Sequence, residues 1–143
     1  MKASVTWDHG LSFAAAADSG FEMNLGGSKA AGGDDDGFRP MELILMGLIG
    51  CTGMDVISIL KKKRQDITGF RVTAEADRAD TYPMVFTHIN LHYIVEGHNI
   101  DPKAVERAIE LSETRYCSVQ AMLAPKVPMT LTYEVVEAEP TPA

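Results

Sequence analysis

The 143-residue chain is expected to fold as one α+β domain over residues 1–143. Three observations predict this class: stretches with a two-residue apolar alternation, two capped helical segments, and an order in which strands and helices cluster rather than alternate as in βαβ units. Hydrophobic residues make up 45% and charged residues 23%, the composition of an ordinary globular domain. A chain of this length buries roughly two-thirds of the surface its unfolded form exposes.

Met1 to Asp8 alternates, with Ala3, Val5 and Trp7 on one face, and His9-Gly10 is a turn signal. Leu11 to Ala17 is expected to run back, and Phe21, Met23 and Leu25 alternate again after Ser19-Gly20. Three short antiparallel strands result. From Gly26 to Gly37 the composition falls to small residues and the aspartates Asp34, Asp35 and Asp36. Such a segment has little apolar surface to offset its ordering entropy, so residues 26–37 are expected to form a mobile loop. The adjacent carboxylates lack the alternating offsets that calcium loops use.

Pro40 to Gln65 reads as one long helix. Proline suits the first turn, Glu42 lies near the positive end of the dipole, and Lys61 to Arg64 complement the negative end. From Leu43 to Met54 there is no charge, and a helix apolar all round is expected to be buried on all sides, with help from a second subunit. Gly47, Gly50 and Gly53 each cost about 1 kcal/mol relative to alanine in a helix, which close approach of another backbone would offset. A phosphate loop is disfavoured, because no Gly-Lys-Ser/Thr step follows these glycines.

Thr68-Gly69 is expected to turn the chain into a strand at Phe70 to Arg78, and Val85 to Glu96 forms its hairpin partner with one buried face. His88 and His92 share a face with Asn90, where a polar solvent face is the plainer reading than a metal site. Asp101 caps a second helix with Pro102 at its first position. That helix is expected to break around Arg115 to Ser118, and a further turn or two ends at Pro125. Met129 to Glu137 is the last strand, and residues 139–143, with two prolines, form a frayed tail.

The formal net charge of −7 disfavours binding to nucleic acid or anionic membrane. The N-terminal residues lack the apolar core of a signal peptide, and Leu43 to Cys51 falls short of the about 20 residues of a membrane span, so a cytoplasmic protein is expected.

Cys51 and Cys117 are the only cysteines. By position alone Cys51, mid-helix among apolar residues, suits an inert core thiol. Cys117, with Arg115 two residues before it and Ser118 able to cap the next turn, is the more easily ionised. They lack Cys-x-x-Cys spacing, and a bridge would require α-carbons about 5.5 Å apart. No ligand spacing supports a metal site made of both cysteines and a histidine.

Arg39-Pro40-Met41-Glu42-Leu43 running into Gly50-Cys51-Thr52-Gly53-Met54-Asp55, then Phe86 to His92, and finally Tyr116-Cys117-Ser118-Val119, resemble the OsmC/Ohr family over nearly the whole chain. The resemblance implies antiparallel sheets wrapped around long central helices in an intertwined homodimer. It implies thiol-dependent reduction of organic hydroperoxides in oxidative stress defence, with Cys51 peroxidatic and Cys117 resolving, an external dithiol as reductant, and no metal or organic cofactor. In the peroxidase branch an acidic residue directly follows the helix-opening proline and pairs with an arginine from the N-terminal strands. Here the carboxylate stands one position later, at Glu42, and no arginine precedes Arg39, which is the nearest substitute for the family arginine. At about 100° per residue, Glu42 and Cys51 point to opposite sides of an ideal helix. The competing reading is a non-catalytic dimeric module that binds a hydrophobic small molecule, with both cysteines as core residues.

Overall fold

The computed structural model describes residues 1–142. Its contacts fall into two compact units, Met1–Met46 and Gly47–Ala143, with the boundary inside a helix.

In the first unit, β1 (Ala3–His9), β2 (Ser12–Ala17) and β3 (Glu22–Leu25) form an antiparallel meander in that order. Gly10 and Gly20 take positive φ at the two turns, a conformation that costs glycine little. Val5 pairs with Ala15 and Ala15 with Met23, so one sheet face is a row of small and apolar side chains.

The segment 26–37, expected to be a mobile loop, is folded locally. Ser28 caps a short 3₁₀ turn at Lys29–Ala31, Gly33 N–H donates to the Ser28 carbonyl at 2.8 Å, and Asp35 N–H donates to the Gly27 carbonyl at 3.0 Å. A Cβ on Gly33 would lie 2.2 Å from the Gly27 oxygen, and one on Gly37 2.6 Å from the Asn24 oxygen. The glycines allow the chain to fold back on itself, so backbone and carboxylate hydrogen bonds supply the order that apolar burial does not. Ser12 Oγ donates to Asp36 at 2.6 Å, and His9 Nε2 lies 3.3 Å from an Asp34 oxygen. The Asp8 hydrogen bond first, and then the charges of Asp8, Asp34 and Asp36, raise the His9 pKa against desolvation, which lowers it.

Helix α1 (Pro40–Lys62) starts at the expected proline and stops three residues before the expected Gln65. Arg64 enters the left-handed region, and Gln65 N–H returns to the Leu60 carbonyl to close the helix end. Within the chain α1 is not buried all round. Its buried residues Leu48, Thr52, Val56 and Leu60 form one stripe, while Met54 is 74% exposed. Among the described residues of the chain no other backbone approaches its glycines: Gly47 and Gly50 face open space, and Gly53 faces the side chains of Val72 and Phe70. The apolar run also extends beyond Leu43–Cys51. Over an 18-residue window the helix averages a hydropathy of 2.1, enough by length and composition to cross a membrane. Its stripe at i, i+4 spacing facing a sheet is the pattern of a core helix.

The second unit holds the other sheet, in the order β4 (Asp66–Arg78), β5 (Phe86–His98), β6 (Met129–Glu137). Strand β4 begins earlier than Phe70, because Thr68-Gly69 is a register shift inside it rather than a turn before it. β6 joins β5 in parallel, with Leu91 opposite Leu131, so this sheet is mixed rather than antiparallel throughout. A parallel partner needs a crossover, and α2 (Pro102–Leu111) and α3 (Ser118–Leu123) lie in that connection. Ile89, Leu91, Tyr93 and Val95 of β5 are fully buried. On its other face His88 and His92 sit beside threonine hydroxyls of β6 at 2.9 and 2.8 Å, the polar face expected for them. Glu139 to Pro142 carry no regular structure, and Ala143 of the expected tail lies outside the described residues.

Candidate functional site

Both cysteines lie in the second unit. Cys51 is a half-buried residue of α1, and one helical turn later Asp55 occupies the same face by its i, i+4 spacing. Cys117 arrives from the crossover. After α2 the chain widens into a π turn over Ser112–Tyr116, and Cys117 leaves it with extended backbone to begin α3. The break expected around Arg115 to Ser118 is therefore a π turn followed by a cap. The cap itself is Cys117 rather than Ser118: its Sγ accepts the Gln120 N–H at 3.3 Å.

The Cys51 Sγ, the Cys117 Sγ and an Asp55 carboxylate oxygen lie within 4.8 Å of one another. Both thiols are free. The carboxylate is anchored by a chain of buried hydroxyls. Ser112 Oγ donates to Asp55 Oδ2 at 2.9 Å, Thr52 Oγ1 lies 2.8 Å from Ser112 Oγ, and Tyr93 Oη lies 2.9 Å from Thr52 Oγ1. With the Ser112 proton committed to the carboxylate, Thr52 donates to Ser112 and Tyr93 donates to Thr52. The direction of the chain is set by the charge at its end. Tyr93, Thr52 and Ser112 are completely buried, so each hydroxyl has its partner inside the protein. Burial pushes the Tyr93 phenol up to about 12, which keeps it a donor.

The electrostatics contradict the easy ionisation that the sequence suggests for Cys117. Only 2% of it is exposed, and burial pushes its thiol up to about 11. The Gln120 N–H opposes that rise, whereas the Cys51 thiol and the charge on Asp55 add to it. Arg115 is not among the groups acting on it. Its guanidinium stacks over the Tyr116 ring, 5.5 Å from the centroid, on an exposed part of the π turn.

Arg39 and Glu42 belong to the opening of α1 in the first unit. Glu42 Oε1 accepts the Arg39 backbone N–H at 2.8 Å, as in a capping box, and the Arg39 guanidinium pairs with Asp35. Thr52 and Asp55 stand in the Gly50–Asp55 motif without a role assigned to them there, and Ser112 and Tyr93 are site residues outside every motif. One signal for Asp55 is in the sequence: it is the first charge after Glu42 in an otherwise apolar helix, and it stands four residues after Cys51. Ser112 and Tyr93 have no such signal, because their partners come from distant elements.

A family model described as OsmC-like protein matches residues 33–132. Protein YhfA of Escherichia coli K12 is 43% identical over 138 residues, spanning 96% of this chain and all of that one. Among solved structures, a hypothetical protein from Aquifex aeolicus VF5 is 30% identical with a TM-score of 0.85, covering 96% of this chain and 97% of its own. An organic hydroperoxide resistance protein from Elizabethkingia anophelis is 21% identical with a TM-score of 0.71, covering 95% and 94%, and this likeness is one of fold.

Proposed function

Because the chain belongs to the OsmC-like protein family, we propose that it has a redox role in stress defence as a thiol peroxidase for organic hydroperoxides, with Cys51 attacking and Cys117 resolving. The observation that carries this reading is the meeting of two free thiols and one carboxylate within 4.8 Å, on a family background that includes organic hydroperoxide resistance proteins.

Cys51 is the more exposed thiol and meets substrate first. Its proton passes to Asp55, and the thiolate attacks the terminal peroxide oxygen. The O–O bond breaks, and the departing alkoxide takes the proton from Asp55, leaving an alcohol and a sulfenic acid on Cys51. Cys117 then gives its proton to Asp55, and its thiolate attacks the Cys51 sulfur. Hydroxide leaves with that proton as water, and a disulfide remains. An external dithiol returns the pair to thiols by exchange. A carboxylate beside a thiol raises rather than lowers its pKa by charge, so the use of Asp55 is as a proton carrier within reach of both sulfurs. Arg39 and Glu42 serve the turn that opens α1, which their local contacts hold.

The reading includes a homodimer. The open faces of Gly47 and Gly50, the exposed Met54 and the uncovered apolar face of β1 to β3 are surfaces that a second copy would cover. The reading also includes a cytoplasmic setting, where reducing conditions return such a pair to thiols between turnovers.

The competing reading, a dimeric binding module for a hydrophobic small molecule, draws on the raised pKa of Cys117, which suits an inert core thiol. Consumption of cumene hydroperoxide with dithiothreitol or a dihydrolipoyl donor separates the two. Wild type is expected to turn over and Cys51→Ser to stop. Equal rates in both would overturn the peroxidase, and two thiols inert to alkylation near neutral pH would favour the binding module.

A further inference from the structure

The atoms that meet in the second unit are also a ligand set. We propose that Cys51, Asp55 and Cys117 of the reduced protein bind one thiophilic divalent cation of the zinc type. The proposal goes beyond the peroxidase reading and holds whether or not that reading does.

Geometry is the first argument. A tetrahedral zinc-type ion with sulfur at about 2.3 Å and oxygen at about 2.0–2.2 Å holds its ligand atoms roughly 3.5–3.8 Å apart. The two Sγ atoms and the Asp55 oxygen already lie within 4.8 Å of one another, so rotation about side-chain torsions closes the set. Cys51 and Asp55 share one face of α1, and Cys117 is fixed by its place at the start of α3. Three protein ligands leave the fourth position of such an ion open.

The outer shell is the second argument. Ligands in metal sites are oriented by further hydrogen bonds, and two of these three are. Ser112 Oγ donates to the Asp55 carboxylate at 2.9 Å, backed by Thr52 and Tyr93, and the Gln120 N–H donates to the Cys117 Sγ at 3.3 Å. Gln120 is itself buried, and its carboxamide oxygen has no hydrogen-bond partner among the described residues.

Charge balance is the third: two thiolates and one carboxylate would meet within 4.8 Å, and a divalent ion offsets two of those three charges. Binding converts two thiols and one carboxylate into a metal dithiolate carboxylate and releases two protons to solvent. Affinity therefore rises about a hundredfold per pH unit while both thiols are protonated in the free protein.

The sequence sought a third ligand among the histidines; the structure supplies a carboxylate one helical turn from Cys51. A second convergence, His9 with Asp34 and Asp36, is exposed on all three residues, and its contacts hold the 26–37 segment instead.

Cobalt titration of the full chain, kept reduced by a phosphine and then displaced by zinc, tests the proposal. One tetrahedral cobalt per chain with thiolate-to-cobalt charge transfer is expected, with the steep pH dependence above. Asp55→Asn should weaken binding at least tenfold, and Cys51→Ser, at the half-buried position, should abolish the charge-transfer band while circular dichroism stays native. No stoichiometric binding, six-coordinate cobalt alone, or undiminished binding to both variants would overturn it. A chain that binds cobalt in this way and leaves peroxide untouched supports the site and sinks the peroxidase reading.

Discussion

The two sheets of this protein are built from the same alternation and end differently. In β4 to β6, Ile89, Leu91, Tyr93 and Val95 are fully buried; in β1 to β3, Val5 is 58% exposed. The difference is the covering element. The Thr52 hydroxyl meets Tyr93, and Gly53 faces Val72 and Phe70, so α1 lies over the second sheet. Alternation fixes which side chains share a face, but only a packed neighbour converts that face into core.

Breaking this contrast gives the largest effect. Leu91→Ala should cost about 2–5 kcal/mol in urea unfolding, through lost burial and the cavity left behind. Val5→Ala, measured at concentrations where the chain is monomeric, should change stability by no more than about 0.5 kcal/mol. A large cost for Val5→Ala in the monomer would show that the first sheet is covered within the chain.

Ser112→Ala tests the hydroxyl chain that ties the buried sheet to Asp55. It removes the donor to the carboxylate and the acceptor for Thr52, and the loss in the same unfolding assay should be about 1–3 kcal/mol. A neutral result would mean that water replaces the missing hydroxyl.

The last test is alkaline. Cys117 is raised from 9.0 to about 11 and Tyr93 from 10.0 to about 12, so the folded state holds these protons more tightly than the unfolded one. The stability this contributes is fully present below the unfolded pKa values and is lost as pH rises through the folded ones. Melting temperature should therefore decline from about pH 9 upward, and Cys117→Ser should remove the lower part of the decline. A flat profile to pH 11 in both proteins would contradict it.

Much of the frame was legible because local rules carry it. Pro40 and Pro102 mark the helix starts, Asp101 caps α2, and Met129 to Glu137 alternates over the whole of β6. The Gly26–Gly37 segment misled because composition measures apolar burial, whereas backbone contacts at Gly33 and Gly37 hold this loop. Cys117 misled because Arg115, two residues away in sequence, stacks on Tyr116 while burial governs the thiol.

The sequence by itself determined the element order, the family pattern and the placement of each cysteine on or beside a helix, since these follow from periodicity, capping and motif spacing. Only the tertiary structure decided that the two sulfurs meet, that Asp55 joins them, and that Ser112, Thr52 and Tyr93 hold that carboxylate. Those contacts link α1, β5 and the π turn across wide separations in the chain. Local spacing cannot specify a meeting that depends on how a helix, a strand and a crossover pack.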